Sequence, residues 1–554
     1  MNSLEQIEAA LLEYLKKTFN LSQSESDAFI LSLNDDPKKG NFGDLSSNIA
    51  LVIGNTRKEQ PRRIAETITT TFSHPLIASS SIAGPGFINF TLTNEFFSNC
   101  RQELTADFDS YFKLPSEAPR YVFSDEFVSA NPTGPLHLGH GRGGIIGDVL
   151  GNILRFVGHQ VTKEFYINDA GKQIETLGLS FKIRCQQELG LTIELPEDSY
   201  QGTYLIDLAK ECLAEDRIKV EEALATNEDT FFKQYAKNKL LAHITETLAR
   251  YGIHFDVWFS EKTLHESGAT EKALQLLTER GNTYEQDGAL WFRSTAFGDD
   301  KDRVLRRSSG TITYVAADVA YILNKIERGA QKLIMVLGQD HHSYVHRLKG
   351  VMSALGYNPD NLSVILYQLV TLKEEGEVLR MSKRAGRIVS LAEIIEAVGT
   401  DVARFFYLNR KPEAHLEFDV ALALERTEQN PVFYLQYAFV RTNSILEKAA
   451  PHTLLQSQAE EDFITWEPAE RLLLKKIVAL KRLLAVIGSN YQPHLLTFYV
   501  LELAHQFHSF YAEHQVIDLD RPSQSRRRLA LVSLLQNTFK LSFALLGISA
   551  PEKM

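Results

Sequence analysis

Two histidines, His137 and His140, stand three residues apart in a glycine-rich stretch between a strand-like run and a helical one. The strand-like run, residues 121–128, ends in an Asn-Pro-Thr-Gly-Pro turn, and apolar residues then recur at helical spacing over residues 145–157. The start of a helix attracts anions, because its backbone N–H groups are unpaired and its dipole is positive there. Two imidazoles three residues apart can share one helical face. The stretch therefore predicts a site where both rings donate to phosphate oxygens.

Glycines at 139, 141, 143 and 144 remove side chains from the same turn. A backbone without side chains lets a ligand approach closely, which makes Gly139 and Gly141 candidates for contacts with a nucleotide. The alternative is that both histidines are satisfied groups at an ordinary helix start, since H-x-G-H is short enough to occur by chance. A second basic stretch, Arg380-Met381-Ser382-Lys383-Arg384, follows another apolar run and favours the phosphate interpretation.

Together the two stretches resemble the signature motifs of class I aminoacyl-tRNA synthetases, usually written HIGH and KMSKS. The longer contexts, V-S-A-N-P-T-G-P-L-H-L-G-H-G-R-G and M-S-K-R-A-G, resemble those of bacterial arginyl-tRNA synthetases, and the resemblance extends over nearly the whole chain. It implies an arginine–tRNA ligase. Such an enzyme uses ATP to convert L-arginine to an adenylate, releases pyrophosphate, and transfers arginine to the 3′ end of tRNA(Arg) with release of AMP.

The first step is the in-line attack of a carboxylate on the α-phosphate, so catalysis consists mostly of positioning and charge stabilisation. The resemblance implies that His137 and His140 hold the phosphates and that Lys383 neutralises the leaving pyrophosphate. Mg²⁺ is expected to accompany ATP. The sequence departs from the usual motif at Arg380, which keeps the charge, and at Arg384, which is left open between RNA contact and solvent. The implied ATP-binding residues are Gly139, Gly141, His341, Arg380, Met381 and Ser382.

A guanidinium is planar and permanently charged, and it is held best by carboxylates that accept two hydrogen bonds. Burying it requires compensating negative charge. The resemblance implies that Glu126 and Asn131 hold the α-amino end of arginine and that Tyr314 and Asp318, four residues apart, bind the guanidinium. The roles of Asp340, His341 and His342 stay open between ligand contact and structure. The candidate arginine-binding residues are Glu126, Ser129, Asn131, Tyr314, Asp318 and Asp340.

The order of strand-like and helical segments predicts an α/β catalytic domain with a Rossmann-like, doubly wound parallel sheet, in which ligands bind at the carboxyl ends of the strands. The apolar runs 333–337 and 364–372 are predicted to be buried parallel strands. We expect an N-terminal α+β domain at 1–112 that contacts tRNA, a catalytic domain at 113–430 with an insertion at about 185–290, and a helical anticodon-binding domain at 431–554. Apolar stripes in the last domain predict bundle core, including the stripe that ends at Tyr511.

The composition is that of a globular protein of 554 residues, with 44% hydrophobic and 23% charged residues. Three scattered cysteines without a Cys-x-x-Cys pair argue against disulfides and structural zinc. We expect a cytoplasmic protein without a membrane segment and, from the resemblance, a monomer. The net charge of −11 argues mildly against RNA binding, although local charge matters more. Four basic clusters, at 303–307, 380–387, 475–482 and 521–528, are each interpreted as solvated faces.

Two other functions fit parts of the sequence. A different nucleotidyl transferase would use H-x-G-H with another carboxylic acid, but a helical C-terminal third suited to tRNA argues against it. A non-catalytic RNA-binding relative would have lost catalytic residues, whereas His137, His140 and Lys383 are all present.

Overall fold

The computed structural model describes residues 1–36, 42–374, 377–379, 389–455 and 459–554. These residues form an N-terminal α+β unit, a central unit built on a parallel sheet, and a helical C-terminal unit. The expected fold class is therefore confirmed.

The N-terminal unit packs helices against a four-stranded antiparallel sheet in the order β1-β2-β4-β3. Its first helix begins at Asn2, whose side chain accepts the backbone N–H of Glu5 at 2.9 Å, and it buries one apolar stripe through Ile7 and Leu11. The helices are α1 Ser3–Phe19, α2 Gln23–Asp27, α3 Ile49–Arg57, α4 Pro61–Thr71, α5 Asn94–Ala106 and α6 Phe108–Phe112, and the strands are β1 Leu31–Leu33, β2 Leu45–Ser47, β3 Ile77–Ala83 and β4 Phe87–Leu92.

The strands of the central unit form three sheets. They are β5 Val122–Phe127, β6 Gln160–Ile167, β7 Val257–Ser260, β8 Thr283–Gln286, β9 Ala289–Phe292, β10 Arg303–Arg306, β11 Lys332–Gly338, β12 Leu362–Tyr367, β13 Val370–Glu374, β14 Glu377–Leu379 and β15 Leu416–Asp419. The main sheet is parallel throughout, in the order β12-β11-β5-β6-β7. The strand order reverses between β5 and β11, so the carboxyl ends of these two strands border the crevice where such sheets bind ligands.

Helices cover both faces of this sheet and form one excursion from it. They are α7 Leu138–Val157, α8 Lys172–Glu188, α9 Tyr204–Ala225, α10 Asp229–Arg250, α11 Glu261–Glu266, α12 Ala269–Glu279, α13 Tyr314–Glu327, α14 His342–Ala354, α15 Leu391–Val398, α16 Thr400–Leu408 and α17 Val420–Leu424. The excursion consists of α8, α9 and α10, which share a small core of their own that includes Phe181 and Phe232.

Two predictions about the central unit are wrong in detail. The stretch 185–290 is not wholly an insertion, because β7 pairs with β6 as the fifth strand of the main sheet. The apolar run 364–372 is not a single strand either. It divides at Gln368 and Leu369 into β12 of the main sheet and β13, which pairs with β14 and β15. The division is held by backbone contacts, since the Gln368 carbonyl accepts from Arg142 at 2.8 Å and its N–H donates to the Pro412 carbonyl.

The C-terminal unit is a bundle of α18 Pro431–Ala449, α19 Pro468–Asn490, α20 His494–Glu513 and α21 Pro522–Leu546. The predicted stripe on α19 is core, since Leu473, Ile477 and Leu480 are all fully buried. The stripe on α20 is core only as far as Phe510, because Tyr511 is 37% exposed. Within the described residues, α21 alone is long and apolar enough to cross a membrane, and most of it is buried inside the bundle as a core helix.

Two of the basic clusters are not solvated faces. In the cluster at 475–482, Lys475 is buried and its ammonium lies 2.9 Å from Asp44 of the N-terminal unit. In the cluster at 521–528, the buried Arg527 and Arg528 both bind the fully buried carboxylate of Glu470. These charges are neutralised by buried ion pairs within the protein. The position of a residue in the sequence does not reveal such pairs.

Candidate active site

The two histidines lie together at the start of α7. His137 is the N-cap residue, and its Nδ1 accepts the backbone N–H of Gly139 at 3.1 Å. The backbone N–H of His137 in turn donates to Nδ1 of His140 at 3.1 Å, and the two rings stack with their centroids 3.7 Å apart. Because both Nδ1 atoms accept hydrogen bonds, each ring carries a proton on Nε2. The pair therefore presents Nε2–H donors at a helix start, an arrangement suited to phosphate.

His140 is uncharged at neutral pH. Burial first, and then the neighbouring His137 ring, lower its pKa to about 3. A neutral imidazole at this position can donate a hydrogen bond but supplies neither positive charge nor a proton for transfer. The positive charge that phosphates need must come from elsewhere in the site.

The glycines of the turn serve packing as well as access. A Cβ on Gly141 would lie 2.6 Å from Leu391 and 2.8 Å from the ring of Tyr407, so the missing side chain makes room for protein. Among the described residues, a Cβ on Gly139 would meet only the His137 ring, at 3.0 Å. The prediction that both glycines contact ATP remains a prediction, and at Gly141 the close approach is made by α15 and α16 rather than by a ligand.

The chain that follows the second motif is bonded directly to the first. The N–H of Leu138 donates to the Val389 carbonyl at 3.3 Å, and the N–H of Leu391 donates to the Leu136 carbonyl at 2.8 Å. His137 and Ser390 form an antiparallel bridge between these two bonds. The second motif itself, with Arg380, Met381, Ser382, Lys383 and Arg384, lies outside the described residues.

Glu126 is a buried residue next to the end of β5, and a strained turn follows the strand. Val128 and Ser129 both have positive φ, 66° and 41°, which is unusual for any residue with a side chain and most of all for a β-branched one. The turn directs the Ser129 hydroxyl back to the Glu126 carboxylate at 3.0 Å. The other oxygen of Glu126 accepts from Lys325 at 2.5 Å. Such strain persists where the surrounding structure requires it, which is often at a binding site.

Three carboxyl groups converge near the carboxyl ends of β5, β6 and β7. The pKa of Asp318 is raised to about 7, chiefly by burial and further by the charges of Glu126 and Glu261, against the opposing effect of Arg347. The same three acids raise the pKa of Tyr166, although burial of that hydroxyl contributes most. Asp318 Oδ2 is buried and has no hydrogen-bond partner among the residues that the structure describes. An acidic pocket with an unpaired carboxylate oxygen is suited to a buried cation.

Glu261 is a candidate functional residue that the sequence interpretation missed. It is the first residue of α11, directly after β7, and it is only 5% exposed. Burial raises its pKa, while the Tyr166 hydroxyl donates to it and lowers the pKa. The position of Glu261 directly after a strand is the signal in the sequence, but β7 is only four residues long and follows three helices, so the sequence pattern places it in the insertion.

The remaining predicted substrate residues lie at the surface of the protein, and their predicted contacts with arginine remain predictions. Tyr314 is the first residue of α13, one turn before Asp318, and is 59% exposed. Asn131 is exposed in the turn after β5. Asp340 and His341 follow β11 and are exposed, with the Asp340 carboxylate 3.8 Å from the His341 ring. Asp340 also contributes, after burial, to a pKa of about 12 for Tyr367, whose ring packs against α7 at Gly143.

A patch of aromatic and basic side chains lies on α18 and α20 of the helical unit. The Arg441 guanidinium lies over the rings of Tyr437 and Tyr511, 4.5 and 4.9 Å from their centroids, and its Nη1 is 3.0 Å from the His508 ring. Tyr434 bonds to His505 at 2.8 Å. We call these six residues the aromatic platform. Partly exposed rings beside a guanidinium are suited to stacking with unpaired nucleic-acid bases.

A parallel sheet with an H-x-G-H turn after β5, a chain segment just after a basic motif that is hydrogen-bonded to that turn, and a helical C-terminal bundle together define a class I aminoacyl-tRNA synthetase. The family model of the class I (R) tRNA synthetase catalytic domain matches residues 116–411, the arginyl-tRNA synthetase N-terminal domain matches 5–92, and the DALR anticodon binding domain matches 435–554. The chain belongs to the arginyl-tRNA synthetase family.

Individual relatives agree with this assignment. The arginine–tRNA ligase of Syntrophotalea carbinolica is 42% identical over 548 residues, which cover 98% of each chain. That of Geobacillus thermodenitrificans is 43% identical over 526 residues, covering 94% of this chain and 93% of the relative. The solved structure of Thermus thermophilus arginyl-tRNA synthetase is similar in fold, with a TM-score of 0.77 at 23% identity, over 99% of this chain and 100% of that chain.

Proposed function

We propose that this chain is an arginine–tRNA ligase that activates L-arginine with ATP and transfers it to the 3′ end of tRNA(Arg). The observation that carries the proposal is the acidic pocket of Asp318, Glu126 and Glu261 in a chain of this family. A long cationic side chain would neutralise the unpaired Asp318 oxygen, while Glu126 and Asn131 hold the α-amino end. Glu261 is the further guanidinium acceptor in this assignment.

In the activation step, the substrate carboxylate attacks the α-phosphate of ATP and pyrophosphate leaves. The proposed role of His137 and His140 is to donate Nε2–H bonds to phosphate oxygens, for which their stacked geometry at the helix start is suited. Since His140 is neutral, the compensating charge comes from Lys383 and Arg380 of the second motif. Mg²⁺ enters with ATP and is held chiefly by phosphate oxygens, as is usual for this ion.

The proposed tRNA contacts lie outside the catalytic unit. The aromatic platform would stack with bases of the anticodon loop, since unpaired loop bases are the part of an RNA that aromatic side chains can reach. In the N-terminal unit, Phe87 is 43% exposed where β4 begins, directly after the Gly84-Pro85-Gly86 turn. It would stack with a second unpaired base at the outer corner of the tRNA. We propose that the protein works as a cytoplasmic monomer, as the resemblance implies.

The test is substrate selectivity in amino acid-dependent exchange of pyrophosphate into ATP, with and without tRNA(Arg). The amino acids to compare are arginine, lysine, glutamine and citrulline. Citrulline matches arginine in shape but carries no charge, so it tests whether the pocket selects the cation. Of these amino acids, we expect exchange only with arginine and only when tRNA(Arg) is present, and we expect tRNA(Arg) to be the only tRNA that is charged. Exchange with lysine or glutamine equal to that with arginine would overturn the pocket assignment.

A further inference from the structure

Arg404 joins three parts of the chain at one buried point. It lies on α16 and is 1% exposed. Its Nη2 donates to Asp148 of α7 at 2.5 Å, its Nη1 to the Tyr251 carbonyl at the end of α10 at 2.7 Å, and its Nε to the Leu546 carbonyl at the end of α21 at 2.8 Å. A guanidinium suits this place because its donors are fixed in a plane and point in different directions.

The α7 side of this point has a second contact with the helical bundle. Asn152, one turn after Asp148, donates its amide to the Leu545 carbonyl at 3.3 Å. Lys163 of β6 binds both residues, with its ammonium 2.6 Å from Asp148 and 2.7 Å from the Asn152 side-chain oxygen. Two side chains, Arg404 and Asn152, therefore hold the last carbonyls of α21 against the middle of α7.

The chain after α21 is shaped for this contact. Gly547 is in the left-handed conformation with φ 68°, and a Cβ there would lie 2.3 Å from Arg404 Nη2. The carbonyls at a helix C-terminus lack partners within the helix and carry the negative end of its dipole, so they are suited to a buried cation. The C-terminal carbonyls of α21 therefore form a binding site for the guanidinium of Arg404.

Helix α7 carries this contact in its middle and the His137–His140 pair at its start. We propose that Arg404 is a positioning residue that fixes the position of the imidazole pair relative to the helical bundle. A tRNA bound to the bundle is then correctly aligned with the site of adenylate formation. The proposal rests on the proposed function, because it concerns the same reaction. A displacement of about 1 Å in a catalytic group lowers a rate by about two powers of ten.

The test compares Arg404→Met with a matched control, Arg471→Met. Arg471 also joins two units, since it donates to the Trp466 carbonyl at 3.0 Å and to the Asn94 side chain at 2.8 Å, and neither of these partners lies on α7. Arg404→Met leaves Asp148 paired with Lys163, so no buried carboxylate becomes unpaired. We expect Arg404→Met to lower kcat for arginine activation by about 100-fold, with the arginine KM and the tRNA Kd within about threefold of the parent. Arg471→Met should keep the parental kcat.

A second measurement distinguishes a role of Arg404 in aligning tRNA with the active site from a general loss of stability. We would compare the charging of full tRNA(Arg) with that of an acceptor-stem minihelix, which cannot reach the bundle. In the parent, contact with the bundle favours the full tRNA, and in Arg404→Met the kcat advantage of the full tRNA should fall towards one. A purely structural role would lower both activities equally and leave their ratio at the parental value. That result, or a parental kcat in Arg404→Met, would overturn the proposal.

If Arg404→Met fails to fold, Arg404→Lys and Asn152→Ala test the same contact. Lysine keeps the charge near Asp148 but cannot reach three acceptors in different directions. We therefore expect Arg404→Lys to lose less kcat than Arg404→Met, again with a smaller kcat advantage of the full tRNA over the minihelix. Parental ratios in both of these variants would overturn the proposal. Failure of the proposed function is a different outcome, since the parent itself would then show no arginine-dependent exchange.

Discussion

Leu138 of the first motif donates its backbone N–H to the carbonyl of Val389, just after the second motif, at 3.3 Å. With the reciprocal bond from Leu391 to Leu136, this fixes the exit of the second motif beside the imidazole pair. Two stretches that are far apart in sequence therefore meet at the start of α7. The contact supports the hypothesis that Lys383, six residues before Val389, acts on the same nucleotide as His137 and His140.

The first prediction follows from this arrangement. We expect Lys383→Ala to lower the rate of arginyl-adenylate formation by about two to three powers of ten, the scale for losing one preorganised charge contact. The rate is measured in a single turnover with saturating arginine and ATP. A control is Lys373→Ala, since that lysine pairs with Asp419 at 3.4 Å on the β13–β15 sheet. Unchanged adenylate formation in Lys383→Ala would show that the ammonium does not act on the leaving pyrophosphate.

Local signals in the sequence predict the turn and helix that carry His137 and His140, because turn residues, glycines and helical periodicity all act over a few neighbouring positions. The resemblance supplied Asp318, Glu126 and Tyr314. Glu261 was missed because β7 becomes a strand only by pairing with β6, which is distant in sequence. The buried contacts of Lys475 and Arg404 could not be predicted from the sequence either. Their partners, Asp44 and Leu546, are brought to them by the packing of separate units.

The second prediction concerns substrate charge. We expect Asp318→Asn to raise the arginine KM by about 10- to 100-fold, because it removes the charged partner of a buried cation. The KM for ATP should stay near the parental value. Asp302→Asn is the matched control, since Asp302 binds Thr295 and Tyr284 beside β10 rather than the pocket acids. Equal arginine KM values for Asp318→Asn and the parent would exclude Asp318 from the guanidinium site.

The third prediction concerns the aromatic platform. Arg441 holds the rings of Tyr437 and Tyr511 and is itself a stacking surface for a base. We expect Arg441→Ala to raise the KM for tRNA(Arg) about tenfold, within the range of one lost base-stacking contact. Arg521→Ala tests whether this is only a loss of positive charge, because Arg521 lies at the start of α21 with its side chain 71% exposed. A similar loss in both variants would argue against stacking on the platform.

The fourth prediction is a pH dependence of arginine binding. In the folded protein the pKa of Asp318 is about 7, raised first by burial and then by Glu126 and Glu261 and opposed by Arg347, whereas a carboxyl in an unfolded chain has a pKa of about 3.9. Between these two values the folded protein holds a proton that the unfolded chain has released. The contribution of Asp318 to the free energy of unfolding therefore falls as the pH rises through this window.

Bound arginine offsets the unfavourable free energy of ionising the buried Asp318, because its guanidinium stabilises the ionised carboxylate. Binding to the protonated pocket must first release the proton, so the arginine KM should rise about tenfold for each pH unit below about 7 and level off above it. The measurement is the arginine KM at saturating ATP from about pH 6 to 8.5, with Asp318→Asn as the control. The asparagine variant cannot ionise and should lose this slope. A slope of the same size in Asp318→Asn would assign the titration to another group, with Glu261 the first candidate because burial raises its pKa as well.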